Sequence, residues 1–318
     1  MSETKVFTGM SDASGAVALD ENTFIVANDE DNILRIYDLN DPGQIGLTYL
    51  SKVFKGEISD DDKREIDIEG AARLGDKIFW IGSHSANKNG KPRPDRHCLF
   101  AIRLASVENG KFAAEPVGQI YRTLISDLEA DERFDVYQFD KARTIAPKDI
   151  GALSIEGLTT TPDGTLLIGF RNPLAGGQKD GEFLVGGKAL VIKLLNPLAV
   201  IEGRRARFDA PVELDLGGFG IRNIEYFEAR DAYLIVGGPY HDNEETATHP
   251  RETGRLYLWS GNPDDDPKLL DCADLTGLNI EAAFFLPQTE DRIALLSDDG
   301  SLENEGFRLT SFDLGECL

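Results

Sequence analysis

Cysteine is scarce: Cys98, Cys272 and Cys317 are all that 318 residues hold, an odd number with no spaced framework. That excludes a disulfide-stapled scaffold and a cysteine-based zinc site. Cys98 and Cys272 sit in apolar runs, where a buried free thiol is expected. Histidine is sparse too, and His84, His97, His241 and His249 show no zinc spacing such as HExxH. No G-x-S-x-G occurs, which leaves an α/β-hydrolase nucleophile unsupported. No apolar run approaches the ~18 residues of a membrane span. The first residues, Met1-Ser-Glu-Thr-Lys-Val-Phe, have neither the basic start nor the apolar stretch of a signal peptide, so a cytoplasmic location is expected. Positive charge is also short: 33 Lys and Arg face 56 Asp and Glu, a net charge of −23. A phosphate backbone or an anionic membrane needs the opposite sign, so neither nucleic acid nor membrane is an expected partner. A small ligand, a cation or a protein remains.

What the chain does have is a repeat. Ser14-Gly-Ala-Val-Ala-Leu, Glu69-Gly-Ala-Ala-Arg-Leu and Glu156-Gly-Leu-Thr-Thr-Thr share one phrase, with weaker copies at Arg222-Asn-Ile-Glu-Tyr-Phe and Glu281-Ala-Ala-Phe-Phe-Leu. Each is followed by a polar turn and an apolar run: Thr23-Phe-Ile-Val-Ala, Lys77-Ile-Phe-Trp-Ile, Thr165-Leu-Leu-Ile-Gly, Ala232-Tyr-Leu-Ile-Val and Arg292-Ile-Ala-Leu-Leu. A third strand follows in every unit, and a fourth in the first four, the first of these ending at Lys52-Val-Phe. Short apolar runs rich in β-branched and aromatic residues, bounded by Asp, Gly, Asn and Pro, read as strands. The fifth unit runs out of chain after its third strand. The expectation is a single domain over residues 1–318, an all-β five-bladed β-propeller whose last blade is completed by Thr4-Lys-Val-Phe-Thr. Closure of that kind removes an open sheet edge. The lead residues stand 55, 87, 66 and 59 positions apart. The long interval holds either a sixth, degenerate blade or an insertion. Helical spacing at Leu124, Ile125 and Leu128 favours a partly helical insertion over residues 123–153, lying on the surface over one mouth of the propeller.

The first strand of each unit is the innermost, so Ser14, Glu69, Glu156, Arg222 and Glu281 are expected to form a ring at the channel mouth. Counting about fifteen residues on reaches the end of the antiparallel second strand and places Asp29, His84, Arg171 and Asp298 on the same rim. Converging carboxylates need a compensating cation. Either Ca2+ is held by Ser14, Glu69, Glu156 and Glu281, or Arg222 pairs with a glutamate and the ring is an internal salt-bridge network without metal. The loop Asn87–Arg96 is the one basic patch, and its Arg93 and Arg96 are expected to attract an anionic ligand.

Asp67-Ile-Glu-Gly-Ala, Gly82-Ser-His-Ser with its basic loop, Ile155-Glu-Gly-Leu and Gly169-Phe-Arg-Asn-Pro resemble a bacterial propeller family of unknown function over nearly the whole chain. More remotely, the Glu-Gly strand starts are similar to esterase-like phytase and lactone-hydrolysing propellers. The one-ligand-per-blade ring is similar to that of the calcium-activated nucleotidases, which implies five blades around a central Ca2+; Arg222 departs from that pattern. Two functions follow as expectations. One is a Ca2+-assisted hydrolase of a small anionic substrate such as a phosphoester, with Arg171 and Arg222 stabilising negative charge and His84 as acid or base. The other is a non-catalytic propeller that binds a ligand or a protein partner.

Overall fold

A computed structural model describes residues 3–59, 64–107, 111–176, 178–179, 182–183, 187–241, 253–271, 275–287, 289–297, 306–315 and 317–318. Blade 1 is built from β2 (Ala13–Ala18), β3 (Thr23–Asn28), β4 (Ile33–Asp38) and β5 (Asp41–Tyr49). Blade 2 has β6 (Ile68–Leu74), β7 (Lys77–Gly82), β8 (Leu99–Val107) and β9 (Lys111–Tyr121). Blade 3 has β10 (Ser154–Thr160), β11 (Leu166–Ala175), β14 (Lys188–Leu194) and β15 (Val212–Leu214), with a small hairpin of β12 (Gln178–Lys179) and β13 (Glu182–Phe183) between its second and third strands. Blade 4 has β16 (Gly220–Phe227), β17 (Ala232–Gly238), β18 (Arg255–Trp259) and β19 (Lys268–Leu270). Blade 5 joins β20 (Ile280–Phe285), β21 (Arg292–Ser297) and β22 (Gly306–Asp313) to β1 (Glu3–Thr8) from the other end of the chain. The innermost strands touch in one closed cycle, β2 to β6 to β10 to β16 to β20 and back to β2. The protein is therefore a five-bladed β-propeller closed by its N-terminal strand.

The hydrophobic pattern follows from that geometry. Second strands are covered on both faces by neighbouring blades, so β3, β7, β17 and β21 are buried almost end to end and read as unbroken apolar runs. Outer strands meet solvent, and β1 and β5 are mostly exposed. The core is divided accordingly into five clusters, one at each interface between blades. At the closure, Phe7 stacks on Phe307 at 5.4 Å and meets Phe24 and Tyr37 edge-on at 5.3 and 5.5 Å. The closing register runs from Glu3 opposite Ser311 to Thr8 opposite Gly306.

Two details differ from expectation. The fourth strand of blade 1 ends at Tyr49, and Leu50–Val53 is a helical turn, because Leu50 is drawn fully into the interface with blade 2. The 123–153 insertion is helical in part, with Leu124–Glu129, a 3-10 stretch Glu132–Tyr137 and Phe139–Ala142. It is not a plain surface excursion: Leu124, Ile125, Leu128, Phe134, Tyr137 and Phe139 are buried in the core between blades 2 and 3.

Cys98 is the buried free thiol its apolar run predicts, its pKa pushed up to about 12 by burial, and Cys272 lies outside the described residues. Cys317 is disulfide-bonded. Such bonds persist in oxidising compartments, so cysteine usage gives no support to a cytoplasmic location. Among the described residues, no helix is long and apolar enough to cross a membrane.

Candidate functional site

Every innermost strand is irregular at the same point. The ladder to the second strand shifts between Ala13 and Ala16, Ile68 and Gly70, Ile155 and Gly157, Ile221 and Asn223, and Ile280 and Ala282. The residues inside these shifts are Ser14 with Gly15, then Glu69, Glu156, Arg222 and Glu281. Blade 3 shifts once more opposite Arg171, between Ser154 and Ile155. A bulge leaves its extra residue out of the ladder and re-aims the side chain. Here the five bulges point five polar residues at one place. All five line a cavity of about 320 Å³, together with Asp12, Asp29 and Arg171.

Inside the cavity the charges are not shared evenly. Glu156, only 2% exposed, takes a different guanidinium on each oxygen: Arg171 Nη1 lies 2.7 Å from Oε1 and Arg222 Nη1 lies 3.2 Å from Oε2. Arg222 reaches on to Glu281 with Nη2, and Glu281 Oε1 also accepts from Asn279 Nδ2 at 3.1 Å. Arg171 Nε donates to the Pro239 carbonyl at 3.2 Å. Glu156 and Glu281 thus meet arginines, as in the salt-bridge arrangement that the sequence left open beside a metal. Gly238 forms the floor under Arg222: a Cβ there would lie 2.8 Å from Arg222 Cγ. Ser14 directs its hydroxyl to the Ala27 carbonyl at 3.4 Å.

Glu69 is different. It has no hydrogen bond or ion pair with any described residue, and burial, with Glu156, Asp67 and Asp29 nearby, pushes its pKa well above the carboxylate range. Oxygens of Asp29, Asp67 and Glu69 lie within 4.8 Å of one another. One Ca2+ with ligands at about 2.3–2.6 Å spans such a group, so these three residues fit a hard cation. Asp67 is oriented from behind, accepting from Ser83 Oγ and pairing with Arg96 Nη1 at 2.8 Å.

The remaining expected residues fall into two groups. Asp29 and Arg171 line the cavity as the strand count placed them. His84, Arg93 and Arg96 do not. His84 adopts φ +56°, which turns the imidazole away; it is wholly buried, with Nδ1 2.8 Å from the Gly82 carbonyl and its ring 5.3 Å from that of His97. Burial pushes its pKa down to about 3, which leaves it neutral and unsuited to proton transfer at the mouth. Arg93 and Arg96 both pair with Glu65, and Arg96 also with Asp67, so the basic loop is anchored on carboxylates. Asp298 lies outside the described residues.

Three residues of the region escaped the sequence reading. Asp67 sits just before β6 with φ +53°, outside any alternating pattern. His241 lines the cavity because blade 4 continues past β17 through Pro239 and Tyr240. Lys148 comes from the insertion, whose neighbouring Asp149 carbonyl accepts from buried Asn172 Nδ2 at 2.9 Å. A longer second strand was the available signal for His241; neither Asp67 nor Lys148 has one in the repeat.

Residues 12–113 match the family described as "Protein of unknown function (DUF3616)". The match covers blade 1 and most of blade 2, including Asp67-Ile-Glu-Gly-Ala and Gly82-Ser-His-Ser, and agrees with the resemblance to a propeller family of unknown function. No curated protein matches the sequence. Among solved structures, a luciferin-regenerating enzyme is similar at 9% identity and a TM-score of 0.45, over 98% of this chain and 96% of that one. The PQQ-bound aldose sugar dehydrogenase of Streptomyces coelicolor is similar at 11% identity and 0.44, over 98% of each chain. A nidogen/laminin complex follows at 11% and 0.41, over 90% and 72%. None of these likenesses bears on what this chain does.

Proposed function

We propose that the axial cavity is a cation-assisted hydrolytic site for a small anionic molecule, most simply a phosphoester. The observation that carries this reading is Glu69: a carboxylate without a described partner, within reach of Asp29 and Asp67, on the wall of a cavity that also presents two guanidiniums. Asp29, Asp67 and Glu69 would hold a divalent cation such as Ca2+, in place of the ring of Ser14, Glu69, Glu156 and Glu281 expected from sequence. When bound, it would supply a Lewis acid for a phosphoryl or carbonyl oxygen. Arg171 and Arg222, locked on Glu156, are preorganised donors for an anion and for charge developing on it. His241 is the imidazole on the cavity wall and replaces His84 as the candidate acid or base. Ser14 is left to orient the ligand or a water.

The competing reading is a propeller that binds a ligand or protein at this mouth without chemistry. It is favoured by the same salt bridges, which neutralise both guanidiniums before any substrate arrives. Calorimetric titration with Ca2+, followed by a screen of phosphoesters and lactones with and without chelator, separates the two. The hydrolase reading expects one saturable Ca2+ per chain, lost in Glu69→Gln, and turnover that falls by about 100-fold or more in His241→Asn. Ca2+ binding without turnover would leave the binding reading, and no cation binding would overturn the metal assignment.

A further inference from the structure

We propose that the seam where the ring closes carries a second site, for a small tetrahedral oxyanion such as inorganic phosphate. It is independent of the axial cavity. A separate cavity of about 180 Å³ lies between blades 5 and 1, its polar lining Glu3 and Lys5 of β1, Arg292 of β21, Ser311 of β22 and two asparagines, Asn22 and Asn40, from the turns of blade 1. Two cations therefore converge on one small space in a chain whose net charge is −23.

Their present partner is loosely held. Lys5 Nζ lies 3.6 Å from Glu3 Oε1 and Arg292 Nη2 lies 3.5 Å from Glu3 Oε2, so the two cations bracket one carboxylate from opposite oxygens. Close charge-assisted contacts are nearer ~2.8 Å. The Glu3 side chain is 57% exposed. Arg292 Nη2 is fixed on Ser311 Oγ at 2.9 Å, and Lys5 Nζ on the Leu39 carbonyl at 3.0 Å, so both head groups are positioned by the fold. Glu3 offers two oxygens on an exposed, tethered side chain. A tetrahedral dianion offers four, enough for Arg292 Nη2, Lys5 Nζ, the Ser311 hydroxyl and an asparagine amide together. An anion there would join β1, β21, β22 and the turns of blade 1, and so tie the closing strand on both sides.

The test is calorimetric titration of inorganic phosphate into the full chain at constant ionic strength set by sodium chloride, with sulfate and acetate as comparison anions. Phosphate and sulfate are expected to bind saturably and acetate at least several-fold more weakly. Arg292→Gln and Lys5→Met should each weaken phosphate by about tenfold, and Glu3→Gln, which removes the internal competitor, should tighten it by about threefold or more. Thermal melts in a few millimolar phosphate should show a rise in Tm for the wild type that Arg292→Gln lacks. The second basic variant guards against misfolding of the first. Binding unchanged in both basic variants, or no saturable binding in either the wild type or Glu3→Gln, would overturn the site. Ca2+ binding at Glu69 is unaffected by these variants, so the two proposals fail separately.

Discussion

Glu156 and Glu69 occupy equivalent places in neighbouring blades, yet their surroundings make them opposites. Glu156 neutralises two guanidiniums that are themselves largely buried. Glu156→Gln takes from Arg171 its described counter-charge and leaves Arg222 with Glu281 alone, and a loss of about 3 kcal/mol in unfolding free energy is expected. Burial and the neighbouring carboxylates already disfavour the charged form of Glu69, which has no described partner, so in metal-free protein Glu69→Gln should be neutral or stabilising by up to about 1 kcal/mol. Urea unfolding of the two variants side by side checks this; equal losses would mean that Glu69 has a partner of its own. His84 and His97 give a second expectation. Burial, joined at His84 by His97 and Arg122 and at His97 by Arg143 and Arg122, pushes them down to about 3 and about 4 from 6.5. Both groups therefore take up protons more readily when unfolded, and their contribution to stability is intact above about pH 6.5 and is lost as pH falls towards 4. For His84 alone the loss by pH 4 is about 3 kcal/mol. Asp67, Glu69 and Glu225 have raised values and work in the other direction. The readout is thus the difference between wild type and His84→Asn, a residue that tolerates the left-handed φ. Its curve should be flatter between pH 6.5 and 4; parallel curves would show that His84 does not titrate on unfolding.

At the scale of elements, the blades were legible because each strand is locally consistent: an apolar run, a turn, another run. The closing strand was legible because the fifth unit lacked one and Thr4–Thr8 was left over. The lead residues could be read as a ring because the same position recurs in five units, and the bulge that turns each one inward falls at that position. Counting along strands succeeded for Asp29 and Arg171 and failed for His84. The count assumes that the chain stays extended, and at His84 a positive φ reverses the side chain. Asp67 went unseen for the same reason, since its φ of +53° lies outside strand geometry. The end of the fourth strand in blade 1 was misplaced because Leu50-Ser-Lys-Val is as apolar and as short as a strand end; only the pocket under blade 2 decides that it turns. The insertion shows the limit of periodicity. Its spacing at Leu124, Ile125 and Leu128 indicates helix, but a helix over the mouth and a helix wedged between blades present the same stripe.

For the whole molecule, closure is the interaction on which the other four interfaces depend. The ring holds its five innermost strands in one cycle, and that cycle is what brings residues from all five blades to one cavity. Gly220 shows how little slack there is, since a Cβ there would lie 2.0 Å from the Arg171 carbonyl oxygen. Closure rests on β1, which is mostly exposed apart from Phe7, a ring that is 1% exposed and packed on three other aromatics. Phe7→Ala should therefore cost about 3–5 kcal/mol, the range for a large aromatic removed from a core. Removing residues 1–9 should do more than that, because β22 would then present an unpaired edge as well as an emptied aromatic pocket. Thermal melting should show the loss of stability in both variants, and size-exclusion chromatography should show self-association only in the truncated chain. If truncation left a monomer with the stability of Phe7→Ala, the aromatic contact alone would be holding the ring shut. Self-association of the truncated chain, reversed by adding a peptide of residues 1–9, would establish that the strand itself, through its ladder to β22, is the closing element.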